Sequence, residues 1–361
     1  MASRLFRGLV VATVTAGTCA SARAQWSVVV LHPEGARWSE CRAVSPTVQV
    51  GLARFPHPNI MSPPVLWTGS SSSWVSLSPQ PGLIGEVYAV AGGQQAGHLN
   101  GQASIWSASA ATHVGLNPAW AGGGSKTFAT DGTTQAGSAY LTNTNTEHAT
   151  LWHGTAGSAV DLHPLGSQYW YSGARALDRG MQGGFVYFTD PNIGEHAALW
   201  SGSAATFTDL NPEVGYQSRI LGMASGIQVG YIKPPGVASH AAIWHGTTSG
   251  VIDLGEGRLN GTTGTIHVGT YFGSTGLTQA GIWLGSTPQS FLSLHQFLPP
   301  VYDTFSVATS VCEADGRIYV GGYAYRNGLD AEAVMWVYVP APGSIVLPCA
   351  LLALASRRRR G

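Results

Sequence analysis

A tryptophan recurs in one sequence register along most of this chain. The segment "HAALWSGSAATFTDLNP", which begins at His196, returns as "HATLWHGTAGSAVDLHP" from His148 and as "HAAIWHGTTSGVIDLGE" from His240. Self-similarity at a fixed period indicates a repeat architecture in which each repeat is one supersecondary unit. With four weaker copies, seven tryptophans lie 39 to 53 residues apart: Trp67, Trp106, Trp152, Trp200, Trp244, Trp283 and Trp336.

A glycine that closes a short apolar segment is the second repeated landmark. It stands at Gly51, Gly97, Gly137, Gly184, Gly230, Gly269 and Gly321. Each repeat is therefore predicted to hold four short strands: a strand of small residues, the glycine strand, the tryptophan strand and a strand that contains Asp-Leu. The small-residue strand carries Ala129, Ala174, Ala176 and Ala308.

The two ends of the repeat array complement each other. The first Asp-Leu-like strand, "VVVLHP" at residues 28–33, has no tryptophan strand before it, and the strand of Trp336 has no Asp-Leu strand after it. In a closed ring these halves would form one complete unit. The sequence thus predicts an all-β, seven-bladed β-propeller over residues 25–339. Its blades would be four-stranded, its N-terminal strand would close the last blade, and its small-residue strands would be innermost.

Composition agrees with this fold class and excludes one class of partner. The chain holds 48 glycines and only 10% charged residues, as suits many tight turns between strands. Lys and Arg together number 18, as do Asp and Glu. Without a basic surplus to meet phosphates, nucleic acid is not an expected partner.

The H-A-x-x-W, W-x-G and D-L pattern resembles the extracellular HAF repeat of bacterial secreted proteins. The resemblance covers roughly residues 65–336 and is degenerate. Gln102, Gln279 or Glu332 replaces the histidine, and the aspartate is replaced by Ser76, Gly115 or Ser293. The resemblance implies a repeat architecture and an exported location, and it brings no established activity.

Both termini carry the patterns of sorting signals. Residues 1–24 combine two arginines, an apolar run and Ala22-Arg23-Ala24, which predicts a secretory signal peptide. Residues 340–361 resemble a PEP-CTERM sorting tail processed by an exosortase-like enzyme, with alanine where that motif has glutamate. A plain membrane anchor is the alternative for this tail, and either would associate the chain with a membrane at least transiently. The tail residues in question are Pro340, Ala341, Pro342, Arg357, Arg358, Arg359 and Arg360.

The repeated His and Asp residues are interpreted as scaffold. Equivalent positions diverge from the axis of a ring, so His148, His196 and His240 should lie too far apart to share a metal ion. An active site is normally built once, whereas these residues repeat. The sequence shows no nucleophile elbow, P-loop or zinc-protease motif. We therefore predict no catalytic, cofactor-binding or metal-binding residue, and no cofactor.

The loops between glycine strand and tryptophan strand vary most in length and are candidates for recognition. They contain Pro, Asn and aromatic residues with few charges, which suits polysaccharide or surface-protein partners. The leading hypothesis is a non-enzymatic, exported binding or structural module at the cell surface. The alternative is a secreted lyase or glycosidase acting on polysaccharide at the channel mouth. A channel lined by Ala, Ser and Thr would favour the first; clustered His, Tyr and Arg, or paired carboxylates, would favour the second.

Two cysteines remain after the terminal segments are set aside. Cys41 lies ten residues before Gly51, and Cys312 lies nine residues before Gly321. Both are predicted on innermost strands of blades that are neighbours in a closed ring. They form either a disulfide across the closure, as an oxidising compartment permits, or two separate buried thiols.

Overall fold

The structure is a computed structural model that describes residues 25–56, 62–144, 146–273 and 277–341. The predicted signal peptide at 1–24 lies outside this range. So do Pro342 and the arginines 357–360 of the predicted tail. Pro340 and Ala341 directly follow the last strand.

The described residues form antiparallel β-sheets joined by tight turns, without an α-helix. Strand β1 is Gln25–Val30. The first sheet contains β2 (Trp38–Val44), β3 (Gln49–Arg54), β4 (Pro64–Trp67) and β5 (Val75–Ser76). The second contains β6 (Gly85–Ala91), β7 (Gln94–Leu99), β8 (Gln102–Trp106) and β9 (Val114–Gly115). The third contains β10 (Ala121–Thr130), β11 (Gln135–Leu141), β12 (Glu147–Trp152) and β13 (Val160–Asp161).

The later strands continue this pattern with one exception. The fourth sheet contains β14 (Tyr169–Asp178), β15 (Met181–Phe188), β16 (Glu195–Trp200) and β17 (Thr208–Asp209). A seven-stranded sheet follows, with β18 (Gln217–Ala224), β19 (Ile227–Lys233), β20 (His240–Trp244), β21 (Ile252–Thr262), β22 (His267–Phe272), β23 (Thr278–Trp283) and β24 (Phe291–Ser293). The last sheet contains β25 (Ser306–Ala314), β26 (Arg317–Arg326) and β27 (Asp330–Val339), together with β1.

Six 3₁₀ turns of three residues each accompany these strands. They are Ser71–Ser73, Ala110–Thr112, Ala156–Ser158, Ala204–Thr206, Pro288–Ser290 and His295–Phe297.

The seven-stranded sheet divides within β21. The beginning of this strand pairs with β20 and its end, from Gly257, pairs with β22. One strand therefore serves as the last strand of one group of four and the first strand of the next.

The sheets pack in a closed cycle. The strands that contact one another in turn are β2, β6, β10, β14, β18, β21 and β25, and β25 contacts β2 again. As expected, β1 pairs antiparallel with β27 and completes the last sheet. The Oγ of Ser39 on β2 also accepts the backbone N–H of Ala333 on β27 at 2.9 Å. The fold is thus an all-β arrangement of the propeller type.

The seven repeated tryptophans fill the space between sheets. Each is at most 1% exposed. Trp200, for example, packs with Leu151, Leu162 and Ala174 of the two sheets on either side of the gap. Burial of a large ring stabilises the fold by several kcal/mol through the hydrophobic effect. This explains why the tryptophan recurs in every repeat although the residues around it vary.

One repeated glycine is placed differently from the sequence expectation. The seventh copy is Gly322, because Gly322 pairs with Ala308 just as Gly184 pairs with Ala174. Gly321, which was expected there, pairs with Ser310 one position further along the hairpin. The two adjacent glycines of "YVGG" made the sequence register ambiguous.

The repeated glycines allow a close approach of two backbones. A Cβ atom on Gly184 would overlap the carbonyl oxygen of Gly173 on the neighbouring strand. We expect Gly184→Ala to destabilise the protein by roughly 1–3 kcal/mol or more in urea unfolding, because backbone must move. Gly157→Ala is the matched control, since a Cβ there meets no atom within 4 Å. Equal stability of the two variants would contradict this account.

Candidate functional site

Each strand nearest the axis carries a β-bulge at the same level. The pairing of β2 with β3 skips Arg42, between Cys41 and Ala43, and the pairing of β14 with β15 skips Arg175. A bulged residue has no ladder partner, and its side chain is re-aimed. The seven bulged residues, called the axial ring below, are Arg42, Tyr88, Phe128, Arg175, Leu221, Asn260 and Thr309.

The axial ring lines two cavities, since all seven ring residues belong to the lining of both. The larger one, called the cavity below, has a volume of about 320 Å³ and is also lined by Val307 and Tyr323. Small residues follow the ring residue on every strand, among them Ala43 and Ala176. The expected small-residue strands are thus innermost. The bulge thus places a larger side chain at the axis, between positions of the same strand that hold small residues.

The smaller cavity is lined by the small residues of these strands together with larger apolar ones such as Leu177 and Met223, whereas Arg, Tyr and Phe side chains line the larger one. The channel lining therefore does not by itself separate the binding hypothesis from the enzyme hypothesis.

Ion pairs surround the cavity. The guanidinium of Arg42 lies 2.7 Å from Glu40 and 3.5 Å from Glu86. Burial lowers the pKa of Arg42, but these two carboxylates outweigh it and the pKa lies above its ordinary value. Among the residues that the structure describes, Arg175 pairs with one carboxylate, Glu147, at 3.4 Å. Burial prevails there and the pKa of Arg175 is lowered, so its charge is less well compensated.

The arginines lie over aromatic rings. The guanidinium carbon of Arg175 is 3.7 Å from the ring centroid of Phe128 and 5.4 Å from that of Phe185. Arg219 covers the same Phe185 at 3.9 Å and forms a bidentate pair with Glu195. Stacking holds the planar guanidinium groups in place while leaving their edges available to hydrogen-bond acceptors.

The cavity presents hydrogen-bond donors. The Nε atoms of Arg42 and Arg175 are buried and have no acceptor among the described residues. Burial, followed by the charge of Glu40, raises the pKa of Tyr323 to about 12. Burial and Glu86 raise the pKa of Tyr88 as well. Both phenols therefore stay protonated at neutral pH and can donate.

The repeated histidines lie away from this cavity and pair within their own sheets. Nδ1 of His148, His196 and His240 is 2.9, 2.7 and 2.8 Å from an Oδ2 atom of Asp161, Asp209 and Asp253, respectively. In a degenerate copy, Ser293 donates to Gln279 at 3.1 Å. No group of three or more His, Cys, Asp or Glu suited to a metal occurs within the described ranges.

We expect His196→Gln to change the free energy of unfolding by about 0–1 kcal/mol, because the pair with Asp209 is partly solvent-exposed. Another copy of the repeat already carries glutamine at this position. Differential scanning calorimetry of the variant and the parent measures this, and a loss as large as that of a core residue would contradict the scaffold interpretation.

The two cysteines lie on the strands where they were expected. Cys41 on β2 is fully buried, and Cys312 on β25 packs against the same apolar cluster. Both thiols are free in the structure, and burial raises the pKa of each to about 12. The disulfide remains a prediction.

Sequence reasoning missed the axial ring. Its members differ in chemical type, so they give no repeat signal. A positional signal was present: in six copies the ring residue stands nine residues before the repeated glycine, as Arg175 does before Gly184. Only the last copy, with its longer hairpin, departs from this spacing.

No family model matches the chain and no curated protein does. Solved structures align with it at low identity. A post-proline cleaving enzyme from Rickettsia typhi aligns at 9% identity and a TM-score of 0.51, over 83% of this chain and 52% of that one. This chain thus spans about half the length of that enzyme. A protein of unknown function from Dyadobacter fermentans aligns at 13% identity and a TM-score of 0.47, over 86% and 97% of the two chains.

The β-propeller domain of the Trilobed protease from Pyrococcus furiosus aligns at 10% identity and a TM-score of 0.37, over 73% of this chain and 100% of that one. At these identities the comparisons concern the fold alone. Within the part of the chain that the structure describes, no helix is long and apolar enough to cross a membrane.

Proposed function

We propose that this chain is an exported, non-enzymatic seven-bladed β-propeller whose channel mouth binds a negatively charged group of an extracellular polysaccharide. The observation that carries the proposal is the pair of half-buried arginines, Arg42 and Arg175, which line the same cavity. Their buried Nε atoms have no acceptor among the described residues. The count of seven blades is supported by seven strands in a closed cycle, with β21 shared between two blades.

An acidic sugar fits the chemistry of this cavity. A carboxylate accepts hydrogen bonds from guanidinium edges in a planar geometry that a neutral hydroxyl does not match. The protonated phenols of Tyr88 and Tyr323 add donors on the same lining. Of the two arginines, Arg175 should be stabilised more by a bound carboxylate, because Glu147 compensates its charge incompletely.

The binding proposal is tested on an array that compares uronate-containing glycans with neutral ones. We expect selective binding of the uronates and a loss of roughly tenfold or more in affinity for Arg175→Gln, since one charge-assisted hydrogen bond is removed. Arg258→Gln is the matched control, because Arg258 is exposed, lies over Tyr231 and does not line the cavity. Equal binding of acidic and neutral glycans would contradict the proposal.

An enzyme is the second candidate, because Tyr, Arg and two carboxylates do cluster at the channel mouth. Glu40 and Glu86 both contact the guanidinium of Arg42, however. A glycosidase uses one carboxyl group as general acid and the other as nucleophile or base, whereas these two carboxyl groups are both engaged in ion pairs with one arginine. If the protein releases reducing ends from a glycan that it binds, and Glu86→Gln abolishes that release, the enzyme hypothesis replaces ours.

Export is proposed from the two terminal segments. The predicted cleavage site Ala22-Arg23-Ala24 precedes Gln25, and β27 ends at Val339, directly before the predicted tail. We expect the protein extracted from the cell surface to begin at Gln25 and to lack the arginines 357–360, after cleavage near Pro340 to Pro342 by an exosortase-like enzyme. Intact-mass spectrometry decides this, and a full-length C terminus indicates a plain anchor.

A further inference from the structure

Another cavity, separate from the channel, lies beside an exposed aromatic cluster. Trp170 is 54% exposed. Its ring centroid lies 5.4 Å from Tyr171 and 6.0 Å from Tyr187, and the two tyrosine rings stack on each other at 4.7 Å with an interplanar angle of 13°. Trp170 and Tyr171 line the cavity, which has a volume of about 320 Å³.

The exposure of Trp170 has a local structural cause. The pairing of β14 with β15 skips Trp170, because Tyr169 faces Phe188 and Tyr171 faces Tyr187. This is a second bulge on the strand that also carries the bulge at Arg175. The repeated tryptophans are at most 1% exposed, so burial between sheets does not account for Trp170. An exposed tryptophan next to two tyrosines forms a contiguous aromatic surface, and such surfaces mark binding sites.

Polar groups surround the aromatic surface. Tyr140, Thr146 and Glu147 line the same cavity. Glu147 also accepts a hydrogen bond from Arg175 at 3.4 Å, so one carboxylate connects this cavity to the channel. Hydroxyl and carboxylate oxygens thus stand next to a flat, apolar ring.

We propose that this cavity, the Trp170 platform, binds one pyranose ring of a polysaccharide. The C–H face of a pyranose is apolar and flat, and it matches the exposed indole. The equatorial hydroxyls of the same ring require acceptors and donors around its edge, which Glu147, Thr146 and Tyr140 supply. Binding here does not require a charge on the ligand, so neutral saccharides test this cavity separately from the anion site in the channel.

Isothermal titration calorimetry of the full chain with cellohexaose, xylohexaose and laminarihexaose tests the proposal, since these neutral hexasaccharides avoid the anion site. We expect binding of at least one of them and an affinity about tenfold lower for Trp170→Ala, as for loss of an aromatic stacking partner. Trp170→Phe is expected to retain more of the affinity, because a ring remains.

Two controls separate this proposal from the channel proposal. Leu165→Ala removes a side chain that is 83% exposed on the segment before β14 and should leave binding unchanged. Arg42→Gln should weaken binding of uronates but not of the neutral probes, because Arg42 lines the channel cavity and pairs with Glu40 and Glu86, outside the Trp170 platform. Absence of binding to all three probes, or equal affinity of Trp170→Ala and the parent, would overturn the platform while leaving the anion site untouched.

Discussion

Trp200→Ala is expected to lower the free energy of unfolding by about 3–5 kcal/mol, the usual result of deleting a fully buried aromatic side chain. Trp200 is completely buried between two sheets, and its loss leaves a cavity that the alanines around it cannot fill. Urea unfolding followed by circular dichroism measures the change. Trp170→Ala is the matched control, and its effect on stability should stay below about 1.5 kcal/mol, because that ring is about half exposed and loses its contacts with Tyr171 and Tyr187.

A pair of milder substitutions separates packing from hydrogen bonding. Nε1 of Trp244 donates to the carbonyl of Leu210 at 3.0 Å, whereas Nε1 of Trp200 has no partner among the described residues. Trp244→Phe leaves a buried carbonyl unpaired and should cost about 1–3 kcal/mol more than Trp200→Phe. Identical losses in both variants would show that the hydrogen bond contributes nothing.

Removal of β1 should lower the free energy of unfolding at least as much as Trp200→Ala does. Its six residues pair with β27, and Trp26, Val28 and Val30 pack against the core of the last sheet. Without β1 the ring loses the strand that joins its two ends, and β27 becomes an unprotected edge prone to pairing with other chains. Calorimetry and size-exclusion chromatography of the truncated chain should show loss of the single cooperative transition and aggregation.

A permuted chain provides the control for this truncation. The same six residues, placed after Val339 through a short turn that contains Asn-Gly, can pair antiparallel with β27 as a hairpin. We expect this chain to recover the thermal transition of the parent. Recovery would show that the pairing matters rather than the position of β1 in the sequence, whereas a truncated chain that already unfolds cooperatively would contradict the closure argument.

The sheet-forming pattern was predictable because its residues perform the same task in every repeat. The tryptophan between two sheets has the same surroundings in every repeat, and so does the glycine that faces a carbonyl oxygen of the neighbouring strand. The same residue types therefore recur. The pairing of β1 with β27 was equally predictable from the unmatched half-repeats at the two ends. The register of "YVGG" was predicted wrongly, since two adjacent glycines satisfy the pattern equally well and only the pairing partner distinguishes them.

The candidate site was not predictable in the same way. Arg42 and Arg175 come from strands more than one hundred residues apart in the sequence, and nothing local to either strand relates them. A bulge depends on the match between two paired strands, which single-strand patterns do not reveal. Trp170 was equally hidden, because tryptophan in a strand normally indicates a buried position and the second bulge of β14 reverses that rule.

The bulges also separate two selective pressures that act on the same strands. A residue outside the ladder can change type without altering the pairing that holds its sheet together, and the seven axial positions already span cationic, aromatic, aliphatic, amide and hydroxyl side chains. Substitution at these positions therefore leaves the backbone pairing of the sheets intact, although Arg42 and Arg175 also compensate the charge of nearby carboxylates. A combinatorial library restricted to the axial positions would sample new specificities on a constant framework, and related chains with the same tryptophans and glycines need not share a ligand.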